Sequence, residues 1–194
     1  MIVAGAILAA GSSARLGRPK ALLPCRGTTL LRHAAEALVA SACVHRLVVF
    51  PPRCEPLAAE LAGLPLRSLV NREAATGMAS SIRAAVAALA ELSPAADAIL
   101  LVLVDQPTVD GALLDRVMAA AAATGLAACT YEGAIGPPAC FGRDWFDDLG
   151  ALSGDRGARA LLEAHRERVA LVEFPGGAFD VDREADYVRL ASGS

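Results

Sequence analysis

Aromatic side chains are scarce in this chain of 194 residues: Phe, Tyr and Trp together make up 4% of it, with a single Trp. A core without large rings has to be filled by Ala, Leu and Val, which suits helices packed closely on a sheet, and hydrophobic residues overall reach 55%. The length suits one domain with a substantial core. No tract of Lys and Arg is present and the formal net charge is −3, so nothing provides an electrostatic footprint on nucleic acid or on a membrane surface. No apolar run approaches the roughly 20 residues that span a bilayer. The N-terminus lacks the basic start of a secretory signal, and a cytoplasmic location is expected. Cys25, Cys43, Cys54, Cys129 and Cys140 are odd in number, widely spaced and never arranged C-x-x-C, which argues against a zinc site or a disulfide framework. They are expected to be reduced and mostly buried, with Cys25, near a glycine-rich loop, left open as a reactive thiol. His33, His45 and His165 fall in helical or linker contexts and are read as non-catalytic.

Two common glycine-rich templates are missing as well. The loop at 8–20, LAAGSSARLGRPK, has only Gly11 and Gly17, with five residues between them, so the dinucleotide pattern G-x-G-x-x-G is absent. The Walker pattern needs Lys directly after its second Gly, then Ser or Thr; here Arg18 and Pro19 intervene before Lys20, and Ala21 follows. Hydride transfer and P-loop hydrolysis both lose support. What the loop does have is an apolar strand emptying into small residues, followed by Arg15 and Lys20. Successive backbone N–H groups of such a turn can converge on one anion, and the basic side chains can neutralise it. The loop reads as a cradle for a nucleoside triphosphate, the alternative being a tight turn with solvated basic residues.

The rest of the chain alternates strands and helices, which predicts a single α/β domain with a mostly parallel central sheet. Apolar spacing over 30–39 predicts a helix capped by Thr28 or Thr29, and residues 46–50 a buried strand closed by prolines. A short helix is expected at 56–62 and a strand at 67–70. Residues 71–83, NREAATGMASSIR, form a second small and polar stretch between a strand and a helix, placing Gly77, Met78, Ala79 and Ser80 in the helix's first turn. Unpaired N–H groups there suit an anion or a polar base edge, although Ser80 and Ser81 would also serve simply as caps. Residues 98–104, AILLVLV, are too apolar on both faces for anything but a central parallel strand. That strand ends in Asp105, Gln106 and Pro107, where an open α/β sheet binds its ligands, so Asp105 is a candidate metal ligand; Asp110 is already well placed to cap the helix over 111–123. A strand is expected at 126–131. Residues 132–142, EGAIGPPACFG, are expected to be an irregular loop over the sheet edge that shapes a substrate pocket. Helices are expected at 144–149 and 157–166, flanking SGDRGAR, whose Arg156 and Arg159 either bind a substrate phosphate or are solvated. A strand at 169–174 and a closing helix at 183–190, capped by Asp182, complete the chain. Asp105 and Asp182 both border strand ends. If the sheet brings them together they can share one Mg²⁺, which prefers a few carboxylates plus phosphate oxygens.

In their order, LAAGSSARLGRPK, NREAATGMASSI, VDQP at 104–107, GPPACF with SGDRGAR downstream, and DVDREADY resemble the molybdenum cofactor cytidylyltransferase family, within the glycosyltransferase-A-like nucleotidyltransferases. The similarity covers nearly the whole chain. It implies a Rossmann-like three-layer α/β/α sandwich of the nucleotide-diphospho-sugar transferase type, with 1–107 as a nucleotide-binding half and 108–194 as an acceptor-binding half. It implies that Leu8, Ala9, Ala10, Gly11 and Ser12 hold the nucleotide, with Arg15 and Lys20 on its phosphates. Asn71, Gly77 and Ser80 match positions of the nucleotide or substrate pocket, and Asp105 and Asp182 match metal ligands for Mg²⁺. The activity implied is transfer of CMP from CTP to the terminal phosphate of molybdopterin with release of pyrophosphate, with Arg15, Lys20 and Asp105 as the catalytic set. A molybdenum hydroxylase or its chaperone is implied as protein partner. A sugar phosphate or another small phosphorylated acceptor stays open, as does a non-catalytic carrier of the cofactor. Ala10 separates the chain from the guanylyltransferase branch, which usually has Gly there. Leu16 replaces the usual Met, Arg183 and Glu184 replace Thr-Pro, and Pro137 replaces a common His, which leaves the acceptor less secure than the reaction type.

Overall fold

Six consecutive residues with no polar member, Val3–Leu8, are buried at every position and form β1, a strand that only a sheet covered on both faces can accommodate. The computed structural model describes residues 1–11, 19–155 and 157–178. A small hairpin follows, β2 (Pro24–Cys25) with β3 (Thr28–Thr29), turned by Arg26 and Gly27, both at positive φ. Helix α1 (Leu30–Ala40) begins where the Thr29 side chain accepts from Arg32 N. β4 (His45–Phe50), the short α2 (Glu55–Glu60) and β5 (Arg67–Val70) come next, then α3 (Met78–Ala88) and β6 (Ala98–Leu103). Asp110 caps α4 (Gly111–Thr124) through Leu113 N at 2.8 Å, and Gly125 ends it in the left-handed conformation. β7 (Leu126–Tyr131), β8 (Ala134–Gly142), α5 (Phe146–Gly150), α6 (Arg159–Ala164) and β9 (Ala170–Glu173) finish the described elements. The expected closing helix at 183–190 lies outside the described residues.

The sheet has seven strands in the order β5-β4-β1-β6-β8-β7-β9. Ile7 of β1 lies level with Val48 of β4 on one side and Val102 of β6 on the other, both in parallel register. Only β8 runs against the others. Two apolar clusters sandwich the sheet. On one face Leu31, Leu38, Leu114 and Val117 of α1 and α4 meet Ile7, Val48 and Leu100; on the other Ile82, Leu149 and Leu162 of α3, α5 and α6 meet Val49, Ile99 and Leu101. The molecule is a single α/β domain with helices on both faces of a mostly parallel sheet, as expected. No helix among the described residues is long and apolar enough to cross a membrane.

Residues 132–142 correct the sequence reading. They hold a nine-residue strand, β8, not an irregular loop. Glu132 and Gly133, both at positive φ, make the two-residue turn of a hairpin with β7. The prolines hid the strand. Ala128 pairs with Ala139 but Cys129 pairs with Gly136, so Pro137 and Pro138 bulge out of the ladder, where a missing N–H costs nothing.

Four of the five cysteines are buried, Cys25 among them, and Cys54 is half-buried. Burial pushes the Cys129 and Cys140 thiols up to about 12 and raises those of Cys25 and Cys43. A thiolate is the reactive form, so the reactive role left open for Cys25 is not supported. In an alkylation time course near neutral pH, Cys54 is expected to react first and the other four only after denaturant is added; mass mapping of the modified peptides checks this.

Candidate active site

After β1 the chain winds toward β4 and β5, then returns to lay β6 against the other side of β1. The sheet changes winding direction there, and folds of this kind bind ligands in a crevice at the carboxyl ends of the strands on either side of that point. Leu8, Ala9 and Ala10 are buried, so only their backbone is available to a ligand, and Ala9 N already donates to Val49 O at 2.9 Å. Gly11 is exposed, with open space where a side chain would stand. Ser12, Arg15 and Asp182 lie outside the described residues, as does Arg156.

Pro19 precedes a single 3₁₀ turn, Lys20–Leu22, which presents Lys20 to the crevice from one wall. Asp105 leaves the end of β6 on the other. Their side chains meet across it, Lys20 Nζ donating to Asp105 Oδ2 at 2.9 Å, with side chains 15% and 19% exposed. Asp105 Oδ1 is buried and has no hydrogen-bond partner. A carboxylate oxygen in that state is suited to a cation. No group of three or more metal-ligating side chains exists among the described residues. A cation held by one or two carboxylates plus phosphate oxygens, as Mg²⁺ usually is, does not need one.

The neighbouring Gln106 is buried and donates from Nε2 to Pro137 O at 3.1 Å, so the turn after β6 is tied to the bulge of β8. Thr108 Oγ1 donates to Gly176 O at 3.1 Å, and Tyr131 packs edge-on against Phe174 with ring centres 6.4 Å apart. Because β9 runs parallel to β7, the chain leaving β9 also emerges at this carboxyl edge. None of these contacts was anticipated. Only the sequence neighbourhood of Gln106 with Asp105 pointed toward the first.

Asn71, Gly77 and Ser80 are brought together, and chiefly with one another. Asn71 Nδ2 donates to Ser80 Oγ at 2.7 Å and to Ser81 Oγ at 3.1 Å, while its Oδ1 accepts from Glu73 N at 2.9 Å. Ser80 Oγ donates in turn to Gly77 O at 2.8 Å. The serines are therefore not N-caps: Gly77 occupies that position, at φ 110°, which only glycine adopts readily. Gly154 and Asp155 close on this turn. A side chain on Gly77 would collide with Asp155 Oδ1 and come within 2.7 Å of Gly154 O, and Ala79 N donates to that same carbonyl at 3.1 Å. Arg159 pairs with Glu163 in the open at 2.8 Å, the solvated alternative. His45 Nε2 hydrogen-bonds with Pro94 O at 2.7 Å, and His165 meets Trp145 edge-on with ring centres 4.9 Å apart.

The chain matches the family model described as a MobA-like NTP transferase domain over residues 5–169. It is 33% identical to nicotine blue oxidoreductase of Paenarthrobacter nicotinovorans over 180 residues, covering 88% of this chain and 86% of that one. It is 30% identical over 201 residues to the purine catabolism protein PucB of Bacillus subtilis, covering 96% of each. The crystal structure of Rv0371c from Mycobacterium tuberculosis superposes with a TM-score of 0.82 at 33% identity over 99% of both chains. A structure of Rv0371c in complex with manganese superposes equally well, with a TM-score of 0.82 over 100% of both chains at 30% identity.

The interlock at Gly77 makes its own prediction. Gly77→Ala is expected to destabilise the fold by about 1–3 kcal/mol, the usual cost of forcing a side chain into a glycine-only conformation. Denaturant midpoints for the two proteins measure it.

Proposed function

The chain belongs to the MobA-like NTP transferase family, a family of nucleotidyltransferases, and from that premise we propose that it transfers CMP from CTP to the terminal phosphate of molybdopterin, releasing pyrophosphate. The observation that carries this reading is the Lys20–Asp105 pair spanning the crevice between β1 and β6, with Asp105 Oδ1 left unsatisfied. The two charges match the two parts of a metal-bound triphosphate: the ammonium suits the β- and γ-phosphates, and the carboxylate suits the cation. Mg²⁺, when held by Asp105 and Asp182, supplies charge neutralisation at the phosphoryl oxygens. The manganese complex of a relative supports a divalent ion.

The acceptor phosphate is already anionic at neutral pH, so no side chain has to remove a proton from the nucleophile. Catalysis then consists of positioning and charge neutralisation. The backbone of Leu8, Ala9, Ala10, Gly11 and Ser12 lines the triphosphate, Arg15 and Lys20 stabilise the departing pyrophosphate, and the turn at Gly77 and Ser80 receives the base. In this reading 1–107 hold the nucleotide and 108–194 the acceptor.

A second acceptor class has one specific observation in its favour. The family's usual His is Pro137 here, and Gln106 takes up the Pro137 carbonyl. With no imidazole at that place, another small phosphorylated molecule remains a candidate acceptor. Pyrophosphate release measured with molybdopterin and with a panel of phosphorylated small molecules decides between them; release with molybdopterin alone is the expected result.

Among CTP, GTP, ATP and UTP in the presence of Mg²⁺, CTP is expected to raise the thermal midpoint most, since a ligand of the folded state stabilises by mass action; equal shifts with all four would remove the cytidine assignment. Lys20→Ala is expected to lower kcat by about a hundredfold or more, the scale of losing one preorganised charge contact. Near-normal turnover would refute the role of Lys20.

A further inference from the structure

We infer that Asn71 is a positioning residue that shapes the base-binding turn through Ser80 and Ser81, and is not itself a ligand of the nucleotide. The inference rests on the proposed nucleotidyl transfer and changes one assignment within it. Asn71 is 5% exposed, and Ser80 and Ser81 are 3% and 4% exposed. Both N–H donors of the Asn71 amide are already used, one on each serine, and its oxygen accepts from Glu73 N. Turning the amide toward a base would strip two buried hydroxyls of their donor, and buried polar groups left without partners are costly.

The bonds have a direction. The Asn71 amide donates to Ser80 Oγ, which is thereby free to donate onward to Gly77 O, and Ser80 N reaches the same carbonyl at 3.2 Å. Successive donors polarise one another in such a chain. The Gly77 carbonyl is thus pinned toward the interior from α3. Its N–H, by contrast, reaches Ala74 O only at 3.4 Å, beyond the usual range for an amide bond. The Gly77 N–H is therefore weakly held, while the Asn71–Ser80 relay fixes the next peptide of the turn, between Gly77 and Met78. Asn71 itself is anchored, since its N donates to Phe50 O at 2.8 Å and continues the β5 ladder on β4. The clamp refers the base-binding turn to the sheet, and Gly154 O holds the same turn from the opposite side through Ala79 N.

A double-mutant cycle in the full chain tests this, with Asn71→Ala, the pair Ser80→Ala and Ser81→Ala, and all three together. Each arm is expected to raise KM for CTP about tenfold while kcat moves by less than about threefold, and the combination is expected to be no worse than the more damaged arm, the signature of residues acting as one unit. Losses that multiply to about a hundredfold would show that Asn71 meets the nucleotide independently of the serines, and would overturn the inference. So would an unchanged KM with only a lowered thermal midpoint, which is a purely structural role. Asn71→Asp keeps the acceptor for Glu73 N but replaces the donor, diverting the Ser80 hydroxyl from Gly77 O; it carries the same cycle if the alanine variant does not fold, and it too is expected to raise KM. If wild-type protein binds nucleotide without turnover, dissociation constants replace KM. If it neither binds nor turns over any triphosphate with Mg²⁺, the nucleotidyl-transfer reading and this inference fail together, whereas multiplicative losses in an active enzyme sink only the role of Asn71.

Discussion

The ion pair between Lys20 and Asp105 joins two loops that the winding of the sheet would otherwise leave apart. Both side chains are more than four-fifths shielded from solvent, so neither enjoys full hydration. Pairs in that setting recover in mutual attraction little more than they lose in desolvation, and they contribute modestly to stability. One oxygen of the carboxylate has no hydrogen-bond partner among the described residues. A bond made for stability would be expected to satisfy both oxygens. In the proposed reaction the pair is instead a ligand-free arrangement of two charges, each of which has a stronger partner in a metal-bound triphosphate.

The antiparallel β8 follows from a similar geometric demand. A crossover helix after β7 would have laid the next strand parallel, with its start at the amino edge. The Glu132–Gly133 turn sends the chain straight back, so β8 begins at the carboxyl edge beside the turn after β6. The bulge at Pro137 and Pro138 then stands within reach of Gln106, and the hairpin packs Tyr131 against Phe174 where β9 ends. One two-residue turn thereby decides what stands beside the turn after β6.

How much of this was legible depended on the range of the interactions. Parallel strands buried on both faces announce themselves as apolar runs, so β1, β4 and β6 were readable from composition alone, and Thr29 and Asp110 were readable as caps because capping is local. β8 was not readable, because Pro137 and Pro138 are strand breakers by rule and only the partner strand shows that they sit in a bulge. The site divides in the same way. Lys20 and Asp105 stand out for their positions after strand ends, but 85 positions separate them, and nothing local says that they touch. Asn71 and Ser80 were matched to a pocket only through the resemblance, and the buried hydrogen-bond chain that joins them is something no spacing rule encodes. The closing of Gly154 and Asp155 on Gly77 was invisible for the same reason.

The two sides of the crevice are built from different materials, and this bears on what family membership settles. The nucleotide side, as proposed, offers mostly backbone: buried Leu8, Ala9 and Ala10, an unobstructed Gly11, and a turn at Gly77 held by an interior clamp. Backbone held by buried bonds changes slowly with sequence, because each change strands a partner. The acceptor side, as proposed, offers side chains on a hairpin and on the turn at Pro175–Ala178, and Pro137 lies in a bulge outside the ladder. Relatives that share about a third of this sequence carry names as different as nicotine blue oxidoreductase and purine catabolism protein. In the proposed reading, the reaction type resides in the part of the site that the fold fixes, and the identity of the acceptor in the part that the fold leaves free.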